Sequence, residues 1–395
     1  MKKYFCLFSL LFFSVFSAFS RQIETIEIIG LKKTDESYVQ SLLKEYCGKE
    51  SSSVDAADVE TVLQAEGIFS EVHVSVNEEK ISIEVKEKIT FLPLPFASYS
   101  SDGFMGGFVL MNMNAFGRKN NIIAGGLVRR NMYTGMMMFS KPAVNISKPG
   151  FSAFCSVSYR ENEVTDFYND TVYEGDSFFV RGTLAVEEKL LPFLKLSLDA
   201  GYTLANIWDA MEDPVVNLWL FGTKISLSDV NWNGWYLITN SFNARAALGF
   251  DADGNYVQEY SAFGELQVPF VPRVRGVLRA SGIMSWNKNI LLLNGRTDVG
   301  STILYSKFRS ERLAASSFML ETSVFRKKVA TVSVYGSYEC AVARDFDEST
   351  AFAHGPGTGL RVYLQQVAFP ALALGVSYNV PENLFQVAAS IGVAF

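Results

Sequence analysis

Residues 385–395 alternate without a break. Phe385, Val387, Ala389, Ile391, Val393 and Phe395 fall on one side of an extended chain, and Gln386, Ala388, Ser390, Gly392 and Ala394 fall on the other. Successive side chains of a strand point to opposite faces, so this segment is a strand with one wholly apolar face. The opposite face is small and polar, which suits a water-filled lumen and leaves lipid for the apolar side. The same period of two runs from Ile89 to Phe395 in stretches of about ten residues, broken by Gly, Asn, Asp and Pro clusters. Read backwards, it predicts strands at Pro370–Val380, Gly357–Gln365, Val329–Val342 and Ser317–Phe325; read forwards from Leu92 it predicts about eleven more before residue 290, about sixteen in all. The connections Glu161–Asp176, Trp208–Asp213 and Arg344–His354 are longer and acidic, whereas Arg118-Lys119-Asn120, Pro269–Arg273 and Arg326-Lys327-Lys328 are short and basic or carry proline. Short turns at one rim and longer loops at the other are the habit of membrane barrels. Trp208, Trp219, Trp232, Trp235 and Trp286 fall near predicted strand ends, as girdle residues do, and simple packing is enough to explain them.

Residues 22 to 88 follow other periods. Ile26 and Ile28 share one face of an opening strand, and Thr34-Asp35 caps a helix that carries Val39, Leu42, Leu43 and Tyr46 up to a stop at Gly48. A second helix, capped by Asp55, carries Val59, Val62 and Leu63 and ends at Gly67. Val72, Val74 and Val76 then alternate with polar residues, and Ile81, Ile83 and Val85 return across the Asn77-Glu78-Glu79 turn. The predicted order is β-α-α-β-β, a small α/β domain distinct from the strand-rich remainder of the chain.

Ahead of it, Lys2 and Lys3 precede an apolar run from Tyr4 to Phe19 that closes on Ala18-Phe19-Ser20. This reads as a secretory signal cut after Ser20, and Cys6 stands too early to be a lipid-attachment site. The chain is 49% hydrophobic, yet beyond the signal no stretch of 18 apolar residues occurs, which excludes helical spans. A net charge of −6 argues against a nucleic-acid partner, whose phosphates favour a basic surface. Cys47, Cys155 and Cys340 are odd in number and widely spaced, which fits neither a disulfide framework nor a zinc site. The fold class expected is therefore mainly β: a transmembrane antiparallel barrel over 89–395, preceded by the small α/β domain over 21–88 and a signal over 1–20.

The order β-α-α-β-β, the run Gly67-Ile68-Phe69-Ser70-Glu71-Val72 and the ending Ile83-Glu84-Val85-Lys86-Glu87-Lys88 resemble a POTRA domain. Gly106-Gly107-Phe108 through Met113-Asn114-Ala115-Phe116-Gly117-Arg118 resembles the early barrel of the BamA and TamA group, and Gly355–Leu364, Pro370–Tyr378 and the last strand resemble the end of the same surface-antigen barrel. Together these pieces resemble the BamA-like outer-membrane assembly and transport superfamily over nearly the whole mature chain. The resemblance implies an outer-membrane location with the N-terminal domain in the periplasm, and strand addition of substrate to a sheet edge of that domain. It also implies that Phe385, Val387, Ile391, Val393 and Phe395 form a C-terminal assembly signal. The partners implied are outer-membrane lipids, unfolded outer-membrane or secreted polypeptides and accessory lipoproteins.

The chain departs from this family at one place. An Arg-Gly-Phe or Arg-Gly-Tyr motif belongs in the sixth outer loop, where its guanidinium pairs with carboxylates on the inner wall. That loop is expected at Asn294–Ser316, where Phe308-Arg309-Ser310-Glu311-Arg312-Leu313 resembles the surroundings of the motif, but the motif position reads Ser306-Lys307-Phe308. Lys307 or Arg309 offers a weaker cation, with Glu321 and Glu339 as the first wall partners. The pair Arg275-Gly276 leaves too many strands after it to be the motif and is assigned to the start of strand eleven.

No catalytic role or cofactor is expected. His73 and His354 are the histidines of the chain, they fall in different predicted compartments, and no nucleophile motif, metal-ligand cluster or phosphate loop is visible. Gly106–Gly107 and Gly125–Gly126 read as barrel curvature, and Met136-Met137-Met138 as packing, because neighbours on a strand cannot converge on one metal. Three functions stay open: an assembly or translocation factor, a passive channel or surface structural antigen that has lost the activity, and a two-partner-type secretion pore.

Overall fold

A computed structural model describes residues 22–77, 79–100, 103–129, 132–143, 148–165, 171–207, 215–232, 235–288, 310–327, 330–344, 348–364 and 372–391. The signal, Lys307 to Arg309, Trp208–Asp213, Val393 and Phe395 lie outside them. The chain divides into two compact units: the first runs to Lys88 and includes Phe116–Arg118, and the second comprises the remainder.

The first unit contains β1 (Thr25–Ile29), α1 (Glu36–Leu42), α2 (Ala56–Ala65), β2 (Phe69–Val76) and β3 (Lys80–Glu87), with short 3-10 turns between the helices. The side chains of Asp35 and Asp55 accept from the amides of Ser37 and Ala57, so each carboxylate caps the helix it precedes. Gly67 follows the second helix at φ of 74°, a region open to glycine, but the first helix ends at Leu42 rather than at Gly48, which follows a short 3-10 turn at φ of 80°. β1 runs parallel to β3 and β2 antiparallel to it, giving the order β1-β3-β2. Val39 and Leu43, Val59 and Leu63, and Ile81 and Ile83 are almost fully buried, so the helical and strand periods converge on one core.

The second unit is a 16-stranded antiparallel sheet in strict sequence order. Its strands are β4 (Phe91–Ser100), β5 (Gly103–Ala115), β6 (Asn120–Arg129), β7 (Met132–Lys141), β8 (Gly150–Thr165), β9 (Thr171–Leu191), β10 (Leu194–Ile207) and β11 (Val215–Trp232), followed by β12 (Leu237–Asp251), β13 (Tyr256–Val271), β14 (Val274–Trp286), β15 (Arg312–Arg326), β16 (Ala330–Arg344), β17 (Thr350–Leu364), β18 (Leu372–Asn379) and β19 (Leu384–Ile391). Cα atoms of β4 and β19 approach within 8 Å, so the two ends of the sheet lie side by side. With an even number of antiparallel strands, β4 begins and β19 ends at one rim, here the terminal rim; the opposite one is the loop rim. No helix of the described residues is long and apolar enough to cross a membrane.

Several strands outrun the sequence reading. Arg312–Ser316, expected in the sixth loop, already pairs in β15, Thr350–His354 pairs in β17, and the expected loop Glu161–Asp176 is largely the β8–β9 ladder. β9 has 21 residues and β11 has 18, about twice the 9–11 that cross a bilayer. In a membrane barrel both faces of a strand beyond the lipid are wet. The ladder continues there, but the apolar alternation that reveals it does not.

Burial alternates along the strands. In β15, Leu313, Ala315, Ser317, Met319, Glu321 and Ser323 are buried, while Phe318, Leu320 and Val324 are about half exposed. The buried set reaches across the sheet. Arg275 of β14 contacts Tyr363 of β17, three strands and about 14 Å away in a flat sheet. Side chains meet over such spans on the inside of a curve, so this face is concave and the apolar, exposed face is convex. Of the predicted assembly signal, Phe385 and Val387 are 70% and 42% exposed, on the convex side.

Candidate functional site on the concave face of the sheet

The concave face holds a connected set of charged and polar side chains, centred on Glu321 near the terminal rim. Glu321 is fully buried. The Nη2 and Nε groups of Arg275 donate to its Oε2 at 2.9 and 3.1 Å, Arg361 Nη1 donates to the same oxygen at 3.3 Å, and the Tyr363 hydroxyl donates to Oε1 at 2.7 Å. Arg275 also donates through Nη1 to Gln267 Oε1 at 2.9 Å, and its guanidinium lies 4.4 Å over the Tyr236 ring. A carboxylate taken out of water must recover its lost hydration from donors, and here two guanidiniums and a phenol supply it.

The strand periods explain the convergence. Arg275 is the second residue of β14 and Cα partner of Glu321; Tyr335 lies opposite Glu321 on β16, and Arg361 and Tyr363 follow on β17. All are on the concave parity. Tyr236 reaches the same place from just ahead of β12. Its hydroxyl is 2.5 Å from Ser323 Oγ and 3.3 Å from Ser333 Oγ, and it donates to the Arg273 carbonyl at 3.3 Å. Trp235 beside it has the guanidiniums of Arg273 and Arg326 over its ring at 4.8 Å each. The segment before β12 is thus drawn onto β15 and β16, strands that it does not adjoin in the sheet.

Gln267 links this cluster to the middle of the face, donating to Glu265, which accepts from Arg279 Nε at 2.6 Å. Nearer the loop rim, Asp199 and Arg245 pair at 2.5 Å, Arg245 pairs with Glu259 at 2.8 Å, and Glu259 pairs with Lys288. Arg245 on β12 reaches Asp199 on β10 over Gly222 of β11. A Cβ at residue 222 would stand 2.6 Å from Asp199 Oδ2 and 2.8 Å from Arg245 Nη2, so glycine makes the room for this pair. These groups pair with one another across neighbouring strands, and the arrangement works as a clamp between strands.

Of the wall partners named from sequence, Glu321 is the centre of the clamp, and Glu339 lies on the same face, opposite Ser317. The loop cations Lys307 and Arg309, with Phe308, lie outside the described residues. Glu311 precedes β15 and Arg312 opens it. Among the described residues, Glu321 takes its cations from the wall, from Arg275 and Arg361. Arg275 does open the eleventh strand of the sheet, but sequence reasoning misses its pairing. The available signal is the polar set Glu265, Gln267, Arg275, Arg279 and Glu321, all on one parity of three consecutive strands.

No protein-family model matches this chain, and no curated protein matches it in sequence. Solved structures do match. BamA from Haemophilus ducreyi lacking POTRA domains 1–3 is similar with a TM-score of 0.59 at 10% identity, over 94% of this chain and 85% of that one. CdiB from Escherichia coli gives 0.65 at 13% identity, over 95% and 77%. CdiB from Acinetobacter baumannii gives 0.61 at 11% identity, over 95% and 74%. At these identities the likeness is one of fold, and in fold this chain stands with the BamA-like proteins that its sequence resembles.

Proposed function

We propose that the protein is an outer-membrane β-barrel that assists the assembly of outer-membrane proteins or the translocation of polypeptide, with a POTRA-like domain in the periplasm. The observation that carries this reading is a BamA- and CdiB-like fold over about 95% of the chain, with an apolar convex face and terminal strands side by side. An open sheet in lipid would leave two rows of backbone polar groups without partners, and closure between β4 and β19 removes that cost. In the first unit the order β1-β3-β2 leaves β1 and β2 as edges at which an extended substrate can add a strand. Depletion of the protein and a census of outer-membrane and secreted proteins test the role. A defined subset should disappear, and an unchanged census overturns it. Topology is tested by single cysteines at Asp253 and Asn77 in a chain with Cys47, Cys155 and Cys340 replaced by serine. The first should label on intact cells and the second should not.

A second reading, a channel or surface structural protein without assembly activity, is favoured by one observation. The Arg-Gly motif is absent at 306–308, and the wall carboxylate that would receive it is held by Arg275 and Arg361. On this reading, Lys307→Ala and Arg309→Ala leave both the heat-modifiable mobility and the census unchanged.

A further inference from the structure

The convex face carries a second arrangement, at the loop rim. Arg312 opens β15 and Arg344 closes β16, and the two are Cα partners directly across the ladder. Both fall on the parity of the apolar convex residues, Phe318 and Leu320 below Arg312 and Tyr338 and Val342 below Arg344. Like charges directly opposite on a sheet repel, and an anion between them relieves that repulsion. Glu348 meets Arg344 at 2.8 Å, but it is 78% exposed, and exposed ion pairs are screened and weak. Arg312 lies 5.5 Å over the ring of Trp286, which Tyr260 meets edge-on, and its Nε is buried with no acceptor among the described residues. Ser310 Oγ lies 2.8 Å from the Arg312 carbonyl oxygen and 2.5 Å from that of Arg344, and it accepts from the Arg312 amide at 3.1 Å. The two strand ends are thereby held in place, and with them the bases of both guanidinium side chains.

Two cationic forks on a fixed backbone match the several oxygens of a phosphate. An indole and a phenol beside them are the side chains that settle at the level of lipid headgroups, and the apolar surface that continues down the strands suits acyl chains. We propose that Arg312, Arg344 and Trp286 form a binding site for the phosphate of an anionic lipid. The inference rests on the barrel reading, since it needs the convex face to lie in a bilayer.

The full chain is reconstituted into vesicles of equimolar phosphatidylglycerol and phosphatidylcholine, re-extracted, and its retained lipid identified by native mass spectrometry. Phosphatidylglycerol should be retained preferentially. The double variant Arg312→Gln, Arg344→Gln should lower that preference roughly tenfold, the worth of one charge-assisted hydrogen bond. Arg312→Lys with Arg344→Lys, which keeps the charge without the fork, should fall between and shows that the site, not the fold, is being read. Lys141→Gln removes a convex-face cation at the opposite rim and should change nothing. Equal retention of both lipids by the natural chain, or an undiminished preference in both double variants, overturns the site. Displacement of the lipid by excess inorganic phosphate overturns the lipid assignment, because a soluble anion would then suffice. A chain that gives no heat-modifiable band in vesicles overturns the barrel reading and this inference together, whereas an inserted chain without preference overturns this inference alone.

Discussion

The two units of this chain obey one rule of alternation with opposite sign. In the first, the residues shielded from solvent are Val39, Leu43, Leu63, Ile81 and Ile83, and charge stays outside. In the second, Glu321, Arg275 and Gln267 are shielded, while Phe104, Phe318, Leu198 and Phe385 stand exposed. An exposed apolar surface of that extent is a liability in water and a requirement in lipid. The difference therefore fits the first unit for water and, on the barrel reading, the second for lipid. It also relocates cohesion: the first unit is held by apolar burial, and the second by its backbone ladder and by charge pairs on its concave side.

The sharpest break in this contrast comes from Glu321. In Glu321→Ala the guanidiniums of Arg275 and Arg361 lose their shared carboxylate, and removing one partner of a buried ion pair costs about 3–5 kcal/mol. The temperature at which the compact gel band converts to the extended one should fall sharply, and a shift no larger than that of a surface variant shows that the clamp does not hold the sheet. Leu320→Arg tests the convex side at the neighbouring residue. Near the middle of β15, an arginine facing lipid costs about 2–4 kcal/mol. Ile29→Arg, at a similarly half-exposed isoleucine of the first unit, should stay within about 0.5 kcal/mol. Equal effects on folding yield in vesicles erase the distinction between the units.

Much of this was legible in the sequence, because period two and helical spacing report faces and helix ends directly. Asp35, Asp55 and Gly67 act where their chemistry placed them, whereas the first helix ends at Leu42, six residues before its expected stop at Gly48. Alternation also places Glu321 and Arg275 on one face. It does not say which side chains on that face meet, since this depends on curvature that brings Arg275 and Tyr363, 88 positions and three strands apart, together. Tyr236 escaped for a related reason. It precedes its strand, so no strand parity assigns it a side, and Trp235 next to it lies between Arg273 and Arg326 rather than among the convex aromatics. Tyr236→Phe keeps the ring under Arg275 and removes only the hydroxyl shared with Ser323 and Ser333. A loss of about 1–2 kcal/mol in the same gel assay is expected. No loss at all would reduce Tyr236 to packing.

A smaller effect than these losses is expected in the first unit, at a polar anchor of comparable design. Glu87, the last residue of β3, accepts from three successive backbone amides: Lys32 at 3.1 Å, Lys33 at 3.0 Å and Thr34 at 2.8 Å. Burial works to raise this carboxyl, but the Thr34 side chain and these amides outweigh it and hold Glu87 below its ordinary value of 4.5. A depressed value means that protons bind the unfolded chain more readily than the folded one. The stabilisation is therefore complete above about pH 4.5 and is lost as the pH falls through the lower, folded value. Because the carboxylate is only partly buried, its worth is about 1 kcal/mol rather than that of the Glu321 clamp. Amide hydrogen exchange at Lys32 to Thr34 in the full chain should show protection that weakens on acidification below that range. Glu87→Gln should show weaker protection already at neutral pH, and little further dependence on acid in this segment. If the variant and the natural chain share one pH profile, the loop is held by its own turn geometry and the carboxylate is incidental.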